Sequence, residues 1–182
     1  FYKGDTIKII DRLLDIHSID NIFCEEAFLS MDITLFDKLD NLCSLKNISL
    51  NTKNCTLLWK PYHILKSDDT PYKVFTPFYR RGCLGSQPPR KPLPSPSLKN
   101  ISKNKISKIP ISELKLLPST KWYKKIESEW KPGEDNAHKK LSEFLKNGIS
   151  NYKEGRNFPS KKHVSQLSPY LHYGEISPNY IW

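Results

Sequence analysis

The sequence lacks the patterns that encode the commonest metal and nucleotide sites. Its four cysteines, Cys24, Cys43, Cys55 and Cys83, stand far apart, with no CxxC pair and no histidine at ligand spacing. That argues against a zinc site and a redox dithiol, and leaves free, mostly buried thiols in a reducing compartment as the expectation. Neither GxGxxG nor GxxxxGKS/T occurs, so no glycine-rich phosphate cradle opens a helix. No apolar run approaches the ~20 residues of a membrane span, and no signal peptide is visible. A cytoplasmic chain without a membrane partner is expected. Arginine is scarce too: only Arg12, Arg80, Arg81, Arg90 and Arg156 stand among 29 Lys and Arg.

What is abundant is lysine. The formal net charge of +10 favours a polyanionic partner, because neutralising phosphates releases counterions. A lysine excess beside much Asn and Ile is equally the mark of a coding-composition bias. The 182 residues suffice for one domain or parts of two. The chain opens on Phe1 and stops at Trp182 in a stretch that reads as the start of a helix, so a fragment is expected.

Along the chain, Asp5 or Thr6 caps a helix carrying Ile9, Ile10, Leu13 and Leu14 at helical spacing, and Ile22-Phe23-Cys24 follows as a short strand. A second helix over Ile33 to Leu45 leads to a strand at Ile48-Ser49-Leu50. Helix alternating with strand predicts βαβ units and a parallel sheet, the back half of a doubly wound α/β domain. Asp5, Asp11 and Asp15 read as cap and solvent-face charges. In PYKVFTPFYRR, residues 71–81, Pro77 fits a helix's first turn with Phe75, Phe78 and Tyr79 packed beneath it. Arg80 and Arg81 form a solvated or salt-bridged outer end, or alternatively a nucleic-acid contact. Residues 82–118 hold half of the 14 prolines and one acid, Glu113, which predicts an extended linker; the lysines of KNISKNKISK there are solvated or touch DNA. Beyond it, Glu134 and Asp135 open a helix bearing Ala137, Leu141, Phe144 and Leu145, which Asn147-Gly148 is expected to close by a left-handed C-cap.

Candidate chemistry gathers near the end. The five histidines are scattered, with no nucleophile and carboxylate at motif spacing. His172 reads as a core histidine satisfied by a backbone carbonyl. Tyr152 and Arg156 share a helical face, either as a ring and guanidinium for a flat, phosphorylated ligand or as a packing pair. In VSQLSPYLHYGEISP, Ser165 and Ser168 among free amides suit a pyrophosphate. Gly174 permits a tight turn, and Ser177-Pro178 is an N-cap followed by Pro at N1. The same residues equally make two helix starts in succession.

The order PYKVFTPFYRR, proline-rich linker, PGEDNAHKKLSEFL, NYKEGRNFP and SQLSPYLHYGEISP resembles the photolyase and cryptochrome family, nearest its bacterial cyclobutane pyrimidine dimer photolyases. The resemblance is loose over residues 1–70 and tight over 71–81 and 132–182. It implies a Rossmann-like α/β antenna part (1–70), a docking helix and linker (71–120), and the start of an all-α FAD-binding domain (121–182). By position, Tyr152 matches a flavin-contacting tyrosine and Arg156 an arginine at the DNA surface. Val164, Ser165, Gln166, Leu167 and Ser168 match the family's Thr-Ser-Arg-Leu-Ser turn on the flavin diphosphate. Val164 and Gln166 depart from that pattern, at the cost of a hydroxyl and a positive charge. The implied activity is light-driven splitting of pyrimidine dimers in ultraviolet-damaged DNA by a monomer carrying FAD, with a cryptochrome-type light receptor as the alternative. An antenna chromophore such as methenyltetrahydrofolate is a family expectation to which no residue here is assigned. The family's electron-relay tryptophans lie beyond Trp182, so Trp122 and Trp130 are not among them, and no catalytic residue falls in this stretch. A plain basic nucleic-acid-binding protein would leave the SPYLHYGEISP turn unexplained.

Overall fold

Asp5 starts the first element: its carboxylate accepts the Lys8 N–H at 2.9 Å and caps α1 (Thr6–Ile16). The computed structural model describes residues 1–101 and 109–182, so most of KNISKNKISK lies outside the described residues. The chain divides into two units, Phe1–Cys55 with Pro96–Lys121, and Thr56–Ser95 with Trp122–Trp182.

In the first unit, β1 (Asn21–Glu25) and β2 (Ser49–Lys53) pair in parallel, Asn21 opposite Ser49 through Glu25 opposite Lys53. Parallel neighbours need a crossover, and α2 (Ser30–Leu45) supplies it, burying Leu39 and Cys43. Burial alternates along β1: Ile22 and Cys24 turn inward while Phe23 stays 68% exposed. Just past α2, the Lys46 ammonium reaches Asp11 at 2.8 Å and also Asp15, both on α1. Its hydrogen bonds to Asp11 and then Asp15 raise its pKa. The aspartates read as solvent-face charges thus clamp two helices. All four thiols are free, with Cys43 and Cys83 buried, Cys24 half-buried and Cys55 exposed, and burial pushes the Cys24, Cys43 and Cys83 thiols up.

The second unit is helical. Pro77 does sit in a first turn, α3 (Phe75–Pro77), which runs on as a π-helical stretch, Phe78–Cys83. Phe75, however, is not packed beneath it. It stacks on Tyr79 at 5.7 Å and is 72% exposed, and Phe78 and Tyr79 are exposed too; Gly82 and Cys83 are the residues buried, with Ile64 and Tyr72 so close to Gly82 that a Cβ would lie 2.7 Å from Ile64 Cγ2. After α4 (Lys124–Glu129) comes α5 (Glu134–Glu143), with Glu134 and Asp135 at its positive end. Ala137 and Leu141, one turn apart, join Leu167, Tyr170 and Ile176 in a core flanked by Trp130, Leu171 and Ile181.

Gly148 corrects the expected C-cap. Its φ is −103°, not left-handed, and the chain winds on through a π-helical Phe144–Gly148 and a 3-10 turn Ile149–Asn151 into α6 (Tyr152–Gly155). The glycine serves close approach instead, since a Cβ there would meet the Phe144 ring at 2.6 Å. The two expected helix starts both form, α7 (Ser168–His172) and α8 (Pro178–Ile181). Ser177 caps α8 by accepting the Asn179 N–H at 3.2 Å, and Gly174 turns the chain at φ 68°. Among the described residues no helix is long and apolar enough to cross a membrane.

Candidate cofactor site

The turn Val164–Ser168 is placed by what surrounds it. Leu167, 4% exposed, anchors it in the core, and Gln166 adopts a left-handed φ of 54° that reverses the chain just before α7. Few non-glycine residues take that conformation. Ser165 is half-buried, Ser168 exposed, and α7 begins with no side-chain cap on its first-turn amides. Hydroxyls and amides are therefore available as donors for an oxyanion, the chemistry that a diphosphate-bearing cofactor requires.

The rest of SPYLHYGEISP fastens this turn to α5. The Tyr170 hydroxyl donates to the Lys131 carbonyl at 2.8 Å, and Glu175 Oε1 accepts the Gly133 N–H at 2.9 Å. Burial raises the Tyr170 pKa, with further contributions from Glu175 and Glu143. Trp130 stacks on Tyr170 at 5.1 Å. His172 departs from expectation: it is exposed and lies edge-on to Tyr173 at 4.7 Å rather than in the core, because Tyr170 and Leu171 take the inward positions of this short helix.

Tyr152 and Arg156 come together as their spacing predicts. The guanidinium carbon lies 5.8 Å from the ring centroid, within cation–π range, and the Arg156 N–H closes a helical turn on Tyr152 O at 3.0 Å. Tyr152 also meets Phe144 edge-on at 6.0 Å. Phe144 in turn lines a cleft of about 630 Å³ with Val164 and Gln166 from the turn, the rings of Trp130 and Tyr170, and the charged Lys140, Lys162, Glu129 and Glu143. Phe144 is thus the side chain through which the Tyr152–Arg156 pair and the turn share one neighbourhood. Ser165 and Ser168 lie off this cleft. Periodicity marks Phe144 only as apolar; its bridging place depends on the bare Gly148 beneath its ring. Lys162 has no signal of its own in a lysine-rich stretch.

Comparison with known proteins accords with this architecture. The family model "DNA photolyase" matches residues 1–97, just over half of the chain. A deoxyribodipyrimidine photo-lyase from Agrobacterium fabrum is 32% identical over 99% of the chain, which spans 38% of that protein's length. A class III photolyase crystal structure from Agrobacterium tumefaciens superposes with a TM-score of 0.89 at 30% identity, over 98% of this chain and 37% of that one. An archaeal photolyase from Sulfolobus tokodaii, solved with two FAD molecules, has a TM-score of 0.70 at 18% identity, over 99% of this chain and 36% of that one, and so speaks for the fold alone. With its small parallel sheet, its helical second unit and these matches, the chain belongs to the DNA photolyase family.

Proposed function

We propose that this chain is part of a deoxyribodipyrimidine photolyase, a light-dependent enzyme that splits cyclobutane pyrimidine dimers in ultraviolet-damaged DNA. The observation that carries the proposal is the joint match of sequence and backbone to photolyases, 30–32% identity over nearly the whole chain with a TM-score of 0.89. Residues 1–70 belong to a doubly wound antenna domain, of which β1, α2 and β2 are one parallel crossover unit. Residues 71–120 dock and link, and residues 121–182 begin the FAD-binding domain.

The residues present fit a flavin dinucleotide. Ser165 and Ser168 hydroxyls, the Gln166 carboxamide and the uncapped amides at the start of α7 hold its diphosphate, while Val164 and Leu167 shape the turn. Tyr152 offers a half-exposed ring to the cofactor, and Arg156, exposed beside it, faces the DNA backbone. When bound, a reduced FAD would supply light-driven electron-transfer chemistry, and the residues named here are those that would hold it. The chain's own contribution is hydroxyl and amide donors that fix the anionic end of the cofactor. Binding of damaged duplex draws on the lysine surplus.

The test is expression of the full-length gene product and assay of ultraviolet-damaged DNA under blue light. Photolyase activity predicts loss of dimers in the light and none in the dark. Flavin binding without light-dependent repair would instead identify a cryptochrome-type receptor.

A further inference from the structure

We infer that His163 is the positioning residue of the cofactor turn: its ring wedges against the Cβ-free face of Gly155 and so fixes Val164–Ser168 relative to the Tyr152–Arg156 pair. The inference rests on the proposed cofactor reading of that turn, but the contact itself is steric. A Cβ on Gly155 would lie 2.2 Å from His163 Nδ1, 2.4 Å from its Cβ and 2.6 Å from its Cγ. Carbon atoms do not pack at such distances, so any side chain at 155 displaces the ring. Gly155 ends α6, one residue before Arg156 and three after Tyr152, and it is buried although its neighbours are exposed. Its backbone is not in the left-handed region, so close approach, not backbone conformation, is what this position demands of glycine.

The wedge extends to a second buried glycine. A Cβ on Gly148 would meet the Phe144 ring at 2.6 Å and the His163 carbonyl carbon at 3.6 Å. Gly148 thus carries the Phe144 ring and touches the His163 backbone, with Phe144 against Tyr152 and His163 directly preceding Val164. Among the described residues, none hydrogen-bonds the buried His163 Nδ1. Support of this kind decides whether a binding turn is held to the sub-ångström tolerance that a cofactor needs.

The test uses the full-length protein and compares His163→Ala, His163→Phe, Gly155→Ala and the His163→Ala/Gly155→Ala pair. The readouts are the dissociation constant for FAD, the fine structure of the bound flavin's absorption band, and the thermal midpoint. His163→Ala is expected to weaken FAD binding at least 10-fold and blur the band, whereas His163→Phe, which keeps the wedge and removes the orphan nitrogen, stays within threefold of wild type. Gly155→Ala is expected to match His163→Ala or exceed it. The paired variant should bind about as well as Gly155→Ala alone, because both changes undo the same contact while the Cβ that alanine keeps at 163 still lies 2.4 Å from the new methyl. The inference is overturned if His163→Ala binds FAD with wild-type affinity and spectrum, even with a lowered thermal midpoint, or if the paired losses simply add. Should Gly155→Ala fail to fold, the contrast between His163→Ala and His163→Phe decides alone. Wild-type protein that binds no FAD would overturn the cofactor reading itself, a distinct result.

Discussion

Single residues in this chain do work that their type does not announce. Glu175 looks like an isolated acid in a turn of hydroxyls and aromatics, yet its carboxylate holds the Gly133 N–H at the start of α5, 42 residues away in sequence. A charged acceptor on a partly buried donor contributes about 1.5–3 kcal/mol. Glu175→Ala should therefore lower unfolding free energy by about that amount in urea titrations, while Glu175→Gln, which keeps an acceptor oxygen, should lose less than half as much. Equal losses in both variants would show that the negative charge, not the hydrogen bond, is what counts. The opposite lesson comes from His172, conspicuous in sequence and exposed in the structure, while the unremarked His163 is wedged among glycines. A histidine's identity is local, but its burial is decided by whichever residues win the inward positions of its element.

At the scale of elements, α5 and α7 are held by one apolar contact set and one polar bond. Leu141 and Ala137 bury against Leu167 and Tyr170, and the Tyr170 hydroxyl reaches across to Lys131 O. Leu141→Ala should cost about 2–5 kcal/mol by leaving a cavity, against about 1 kcal/mol for Tyr170→Phe, which removes only the hydrogen bond. Urea unfolding of the two variants would rank them, and the reverse order would mean that the polar tie dominates. Elements such as α1, α2, α5 and α8 were legible because their signals are local: Asp5 and Ser177 as caps, acids in the first turn of α5, apolar residues at helical spacing. The continuation through Gly148 was not. An Asn-Gly after an apolar helix satisfies every local rule for a stop, and only the ring of Phe144, packed on that glycine, favours going on.

For the molecule as a whole, the lysine surplus has two explanations that binding can separate. If the proposed photolyase grips duplex by neutralising three or more phosphates, log affinity plotted against log salt will fall with a slope of about −3 or steeper. A flat plot measured on the full-length protein would mark the lysines as composition rather than interface. The amino-acid sequence by itself determined the alternation of helix and strand, the parallel pairing that a helical crossover requires, the order of motifs that ties the chain to its family, and the i, i+4 meeting of Tyr152 and Arg156. The elements and the Tyr152–Arg156 meeting follow from hydrogen bonds and periodicities spanning a few residues, and the pairing and the motif order from the sequence in which those elements recur. Tertiary structure alone decided that Asp11 and Asp15 clamp Lys46, that Phe75 stays exposed, that Phe144 joins the Tyr152–Arg156 pair to the turn, and that His163 takes the space Gly155 leaves empty. Those outcomes depend on which distant surfaces meet and how closely, and burial and steric exclusion have no local signature to read.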